Sequence, residues 1–215
     1  MAKYFKLFPK TYYTLANNAT SVETVTNIVA RYNFDDAFKN NSAVYYNYRV
    51  KDGETPEIIA DKLYGSSEKH WVILNYNDIY HPQFDWVLES ASLNRFIESK
   101  YLPSANTLAG QTGTQWANAN VYGYFNKITQ TNTKLNKVIS VEDIQIDANT
   151  YANTATSSTN TYTLQDNNIV RIDTVKYTKT YFEYEDELNE GKRIIKVVKP
   201  EFVADIEESL RKANE

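Results

Sequence analysis

Tyr46-Asn47-Tyr48-Arg49-Val50-Lys51-Asp52-Gly53-Glu54-Thr55-Pro56-Glu57-Ile58-Ile59-Ala60-Asp61-Lys62-Leu63-Tyr64-Gly65 opens the stretch whose reading decides the fold, and residues 66–80 complete it. Tyr46, Tyr48 and Val50 alternate with polar residues, which predicts a strand with those three on one face. Asp52-Gly53 is a turn pair. Thr55 suits a helix N-cap, Pro56 the first helical position and Glu57 the first turn, where the helix dipole favours an acid. Ile58, Ile59 and Leu63 form the apolar stripe of that helix, and Gly65 can end it in a left-handed conformation. Ser66 or Ser67 starts a second helix with Glu68 near its positive end and Trp71, Val72 and Leu74 on its apolar face. Asn75-Tyr76-Asn77-Asp78 ends it.

Outward from this stretch the composition narrows the classes of function. The chain has 215 residues, 42% hydrophobic and 23% charged, so it has the material for a folded core. It lacks a run of about 18 apolar residues, which excludes a spanning helix. The absence of cysteine removes a disulfide scaffold, a thiolate zinc site and a cysteine nucleophile together. A net charge of −4 gives no global basic surface for nucleic acid. The start of the chain alternates aromatic and basic residues without the apolar core of a signal peptide, so the chain is expected to stay in the cell that makes it. The two histidines, His70 and His81, stand in no metal-ligand spacing, and no nucleophile-elbow, phosphate-loop or dinucleotide motif is present. Gly110 to Thr114 lacks the lysine of a triphosphate loop. The expectation is a non-enzyme without cofactor, metal or catalytic residues.

The 18 tyrosines combine apolar area with a hydroxyl, which suits half-wet sheets and interfaces alike. Between Ser104 and Asn168, 32 of 65 residues are Asn, Thr, Ser or Gln, too polar for a thick core. Strands are expected at Val121–Phe125, Val138–Val141, Ile144–Ile146 and Ile169–Ile172, joined by polar turns. Low-complexity Asn149–Asn160 reads as a loop or hairpin tip. Beyond it, Val175–Glu187 and Lys192–Lys199 read as a hairpin turning at Asn189-Glu190-Gly191. There Glu183, Glu185 and Glu187 would face Lys192, Arg193 and Lys196. Pro200 then opens a short helix whose stripe is Phe202, Val203, Ile206 and Leu210. So short a helix must dock, on its own chain or on another subunit.

Tyr48-x-Val50-x-x-Gly53-Glu54-Thr55, Ile59-Ala60, Leu63-Tyr64-Gly65 and Trp71-x-x-Leu74-Asn75 resemble the LysM module, a βααβ unit. Its usual closing strand is altered here to Pro82-Gln83-Phe84-Asp85-Trp86. With Phe8-Pro9, Asn27 to Phe34, Asn40-Asn41-Ser42, Asp78-Ile79, the Leu93, Phe96, Ile97, Tyr101 stripe and Asn189 to Lys196, the chain is similar to the LysM-containing baseplate wedge subunit of contractile-tailed bacteriophages. The likeness is good to about residue 102 and moderate over 181–215; the residues between carry no matching motif and read as an arm particular to this lineage.

The expected class is α+β, with an N-terminal segment at 1–43, a LysM-like module at 44–88, a helix at 89–103, an Asn/Thr-rich β arm and hairpin at 104–200 and an amphipathic helix at 201–215. The resemblance implies a structural virion protein that bridges neighbouring wedges and helps hold the baseplate ring. Its partners would be other wedge subunits, a sheath-initiator-like subunit and the central hub, with no nucleic acid and no membrane, in the virion tail and, during assembly, the host cytoplasm. Expected inter-subunit contacts are Tyr80, Phe84, Trp86, Phe202, Ile206 and Leu210, and the module core is Ile59, Leu63, Trp71 and Leu74. The rival reading is a LysM protein binding peptidoglycan or chitin-type glycans through Gly53, Glu54, Thr55, Asn77 and Asp78.

Overall fold

The computed structural model describes residues 8–14, 22–27, 32–164 and 168–213. Ile28 to Arg31, part of the resemblance, lie outside the described residues. Helices and small antiparallel sheets make the chain α+β. It forms two units: Met1–Glu89 with Asn189–Glu215, and Ser90–Leu188. The second is therefore threaded into the sequence of the first.

The first unit begins with a two-stranded ribbon, β1 (Lys10–Tyr13) against β2 (Glu23–Thr26). A helical turn α1 (Asp36–Lys39) is capped by the Asp35 carboxylate on the Ala37 N–H at 3.3 Å. Strand β3 (Tyr45–Arg49) leads through Gly53, at φ +75°, into α2 (Pro56–Tyr64). Thr55 Oγ1 accepts from the Ile58 N–H at 3.4 Å, Pro56 stands in the first turn and Gly65, at φ +68°, donates its N–H to Asp61 O. These are the cap, first-turn proline and left-handed stop expected from the residue types. A 3₁₀ turn at Ser67–Lys69 runs into α3 (His70–Tyr76). The closing strand expected at 82–86 does not form. Pro82–Asp85 is instead the helical turn α4, opened by Pro82, with the Asp85 carboxylate accepting the His81 N–H at 3.0 Å.

The second unit starts with α5 (Ser90–Tyr101), which buries Leu93, Ile97 and Tyr101. Phe96 is on its exposed side. Against α5 lies α6 (Gly113–Ala119), which has a capping box between Thr112 and Gln115. Two long strands, β4 (Val121–Asn132) and β5 (Lys137–Ile146), pair antiparallel. The loop or hairpin tip expected at 149–160 is corrected: Ala148–Asn153 is helix α7 and Ser157–Thr163 is strand β6. Asp147 caps α7 by accepting from the Asn149 and Thr150 N–H groups at 2.9 and 3.0 Å, and Tyr151 packs on Tyr124 with ring centroids 4.8 Å apart. Strand β7 (Ile169–Thr180) completes an antiparallel sheet of order β5-β4-β7-β6.

The expected hairpin over 175–199 is also corrected. The chain leaves β7 at Thr180 into α8 (Tyr181–Gly191). Thr180 and Glu183 exchange a reciprocal pair of bonds, Thr180 N–H to Glu183 Oε2 at 2.7 Å and Glu183 N–H to Thr180 Oγ1 at 3.2 Å, a capping box that turns an acidic, β-like stretch into a helix. Glu183, Glu185 and Glu187 therefore stand on a helix and not on a strand facing Lys192, Arg193 and Lys196. Glu187 binds Lys179, Glu185 binds Lys100 and Arg193 binds Glu190.

Back in the first unit, β8 (Ile194–Val198) pairs antiparallel with β3, Tyr45 opposite Val198 and Arg49 opposite Ile194. The partner strand of β3 thus arrives about 150 positions later rather than at 82–86. Pro200 opens α9 (Pro200–Ala213). Two apolar clusters result. Val50, Ile59, Ala60, Ile73, Trp86, Val87, Ile195 and Val197 fill one; Phe34, Val44, Trp71, Val72, Tyr76, Val198, Val203, Ile206 and Leu210 fill the other.

Candidate functional site

Glu54 organises the turn that follows β3. Its side chain is 7% exposed and accepts from the Lys51 N–H at 2.9 Å, the Tyr48 hydroxyl at 2.8 Å and Lys62 Nζ at 2.5 Å. Burial pushes its carboxyl up, but the bonds from Lys62, Lys51 and Tyr48 outweigh that and hold it below the usual carboxylate range. The Tyr48 hydroxyl is pushed up to about 12, first by burial and then by the bond to Glu54. Glu54 O also accepts from Trp86 Nε1 at 2.9 Å, tying the α4 region to the turn.

Asn77, at the end of α3, acts as a strand substitute. Its Oδ1 accepts from the Lys196 N–H at 2.8 Å, and its Nδ2 donates to Lys196 O at 2.7 Å and Ile73 O at 2.8 Å. One side chain thus satisfies both backbone groups of Lys196 on β8. Asn189 does the same for Leu88, donating to its carbonyl at 3.0 Å and accepting from its N–H at 2.8 Å. That second clamp joins the point where the chain leaves the first unit to the point where it returns. Asp78 adopts a left-handed conformation, φ +55°, and takes Lys39 Nζ at 2.5 Å and the Tyr80 hydroxyl at 3.2 Å. A groove of about 430 Å³ lies beside it, lined by Asp36, Lys39, Asn40, Tyr76, Asn77, Asp78, Ile194 and Lys196.

The structure places the sequence-predicted residues unevenly. Ile59 and Trp71 are buried, one in each apolar cluster, and Leu63 and Leu74 pack against the cluster of Ile59 from half-buried positions. Among the expected contact residues, Phe84 is 72% exposed and Tyr80 is exposed, while Phe202 is half-buried against the core. Trp86, Ile206 and Leu210 are 8%, 4% and 8% exposed, so their expected place at an inter-subunit contact is corrected: they are core of the first unit. The stripe on α9 docks on its own chain. Of the glycan-loop candidates, Glu54 and Asn77 are consumed by the bonds above, Thr55 caps α2 and Gly53 makes the turn. Among the described residues no cluster of three or more His, Cys, Asp or Glu side chains suits a metal, and no helix is long and apolar enough to cross a membrane.

Sequence reasoning missed the aromatic cluster of the second unit. Tyr101 stacks on Trp116 with centroids 5.6 Å apart, and Tyr181 stands 5.1 Å from Trp116. Buried Glu185 accepts from the Tyr101 hydroxyl at 2.6 Å and Lys100 Nζ at 2.7 Å. Burial first, and the bond to Glu185 second, raise the Tyr101 hydroxyl. The signal available in the sequence was the Thr-x-x-Glu box at 180–183, which converts the following acids from strand to helix residues.

A family model described as base plate wedge protein 53 matches residues 3–210, through both units. The chain belongs to that family. The chain is also similar to baseplate wedge protein gp53 of Enterobacteria phage T4, 32% identical over 71 residues, a match spanning 32% of this chain and 36% of that protein. The family match runs through residues 104–175, the polar segment without a recognisable motif, as well as through the module.

Proposed function

We propose that the chain is a structural subunit of the baseplate wedge of a contractile phage tail, bridging neighbouring wedges and helping to hold the ring. The observation that carries this is the wedge-family match over residues 3–210. Its partners are other wedge subunits, a sheath-initiator-like subunit and the central hub, and its place is the virion tail after assembly in host cytoplasm. Two physical features support the reading. Exposed Tyr12, Tyr13, Tyr80 and Phe84 offer the aromatic anchors that interfaces favour. The β1–β2 ribbon is exposed along all eight residues, and a two-stranded ribbon is marginal in water until something covers it. The first unit is read as a LysM-like fold put to protein contact. Its turn residues are engaged within the chain, leaving nothing that favours a glycan site. Removing the gene from a phage and imaging the lysate tests the role: incomplete baseplates restored by plasmid-borne protein are expected, and normal baseplates without it would overturn the proposal.

A further inference from the structure

Among the described residues, β5 pairs with β4 on one side only, so it forms an edge of the second unit's sheet. Its apolar side chains stand out in water: Val138, Ile139, Val141 and Ile144 are 52%, 56%, 54% and 46% exposed. A long apolar edge is a template for another strand, and monomeric proteins usually blunt such edges. Beside these apolar residues the strand carries two adjacent acids, Glu142 and Asp143.

A second copy of itself pairs poorly along the whole of Ser140–Ile146. Antiparallel self-pairing centred on residue 142 or 143 would set Glu142 against Glu142 or Asp143 against Asp143, and like charges directly opposite are unfavourable. Registers centred nearer Ser140 run through a bulge, because Gln130 pairs with Ser140 and Thr131 with Val138, leaving Ile139 without a partner on β4. The seven residues from Ser140 to Ile146 are in unbroken register with β4 and offer a straight template for a different chain. A matching strand needs apolar side chains opposite Val141 and Ile144 and a cation beside the acid pair, in which Asp143 already accepts from the Tyr177 hydroxyl and has Lys127 opposite on β4, while Glu142 faces Ile128.

We propose that β5 is a docking edge for an extended, basic segment of a different baseplate subunit, which adds a fifth strand along Ser140–Ile146 and sets lysine against Glu142 and Asp143. This rests on the wedge assignment above. β-Strand addition supplies main-chain hydrogen bonds for affinity, while alternate side chains and charge supply the choice of partner.

The test uses full-length protein, unassembled and in purified tails. Hydrogen exchange of amides in 140–146 should slow by about tenfold or more on assembly. A zero-length carbodiimide should join Glu142 or Asp143 to a lysine of another subunit, a product absent from the unassembled chain and reduced by Glu142→Gln. A cross-link to a second copy of this chain would overturn the choice of occupant. A cross-link without slowed exchange would overturn strand addition, and slowed exchange without a cross-link would overturn the basic partner. Unchanged exchange without a cross-link, in tails that contain the chain, would overturn the proposal alone. Absence of the chain from tails would instead remove the wedge assignment and this proposal with it.

Discussion

Replacing Asn77 by alanine removes three hydrogen bonds of 2.7–2.8 Å, two to the backbone of Lys196 and one to Ile73 O. Each such bond contributes about 0.5–1.5 kcal/mol net. Lys196 is half-buried, so water only partly replaces the lost partners. The expected cost of Asn77→Ala is therefore about 2–3 kcal/mol. Urea unfolding followed by tryptophan fluorescence reads it best in a Trp116→Phe background, which leaves Trp71 and Trp86, both in the first unit, as reporters. With a slope of about 1–3 kcal/mol per molar urea, the midpoint should fall by roughly 1 M. Asn77→Asp adds a pH signature. It keeps an acceptor for the Lys196 N–H but turns a carboxylate toward two carbonyl oxygens, so the introduced carboxyl has a raised folded pKa. Its contribution is then present below the ordinary carboxylate value of about 4 and lost as pH rises through the folded one, so Asn77→Asp should compare best with the parent in acid. A midpoint within about 0.2 M of the parent for Asn77→Ala would refute the side chain as a strand substitute.

Gly113→Ala should destabilise the second unit by about 3 kcal/mol, read from Trp116 fluorescence on heating. A Cβ there would meet backbone atoms, Glu98 O at 2.2 Å and Leu102 N at 2.7 Å, which side-chain rotation cannot relieve. Trp71→Ala should cost the first unit about 3–5 kcal/mol in chemical denaturation. Deleting residues 201–215 removes buried Val203, Ile206 and Leu210, so loss of soluble protein is expected; a soluble product with an unchanged melting curve would show that α9 is dispensable to the core. Glu54 has a depressed carboxyl, so its contribution is present above the ordinary carboxylate value and lost as pH falls through the folded one. Glu54→Gln should therefore lower stability at pH 7 by about 1–3 kcal/mol and flatten the acid limb of the stability profile, measured by urea titration across pH.

Local chemistry made the β3 to α3 segment readable. Thr55, Pro56 and Gly65 each act through their own backbone neighbours, and Trp71 sits on a stripe whose period is set by the helix. What closes that segment was not readable, because β8 is selected by long-range packing: nothing near Tyr45 to Arg49 announces Ile194 to Val198 as the partner. Strand propensity misled over 181–187, where the Thr180–Glu183 box outweighs aromatic, β-favouring residues. Asp147 likewise nucleates a helix in a stretch whose Thr and Asn content suggests a loop. For the contact residues, an amphipathic stripe specifies that α9 must dock but not on what. Ile206 and Leu210 dock within the chain, whereas Phe84 and Tyr80 stay in water.

The claim that this chain is a structural part of the baseplate wedge is tested most directly by quantitative mass spectrometry of purified, extended tails. Peptides from both units are expected in a fixed whole-number ratio to other wedge subunits. Tails complete in their wedge subunits but lacking this chain would contradict it.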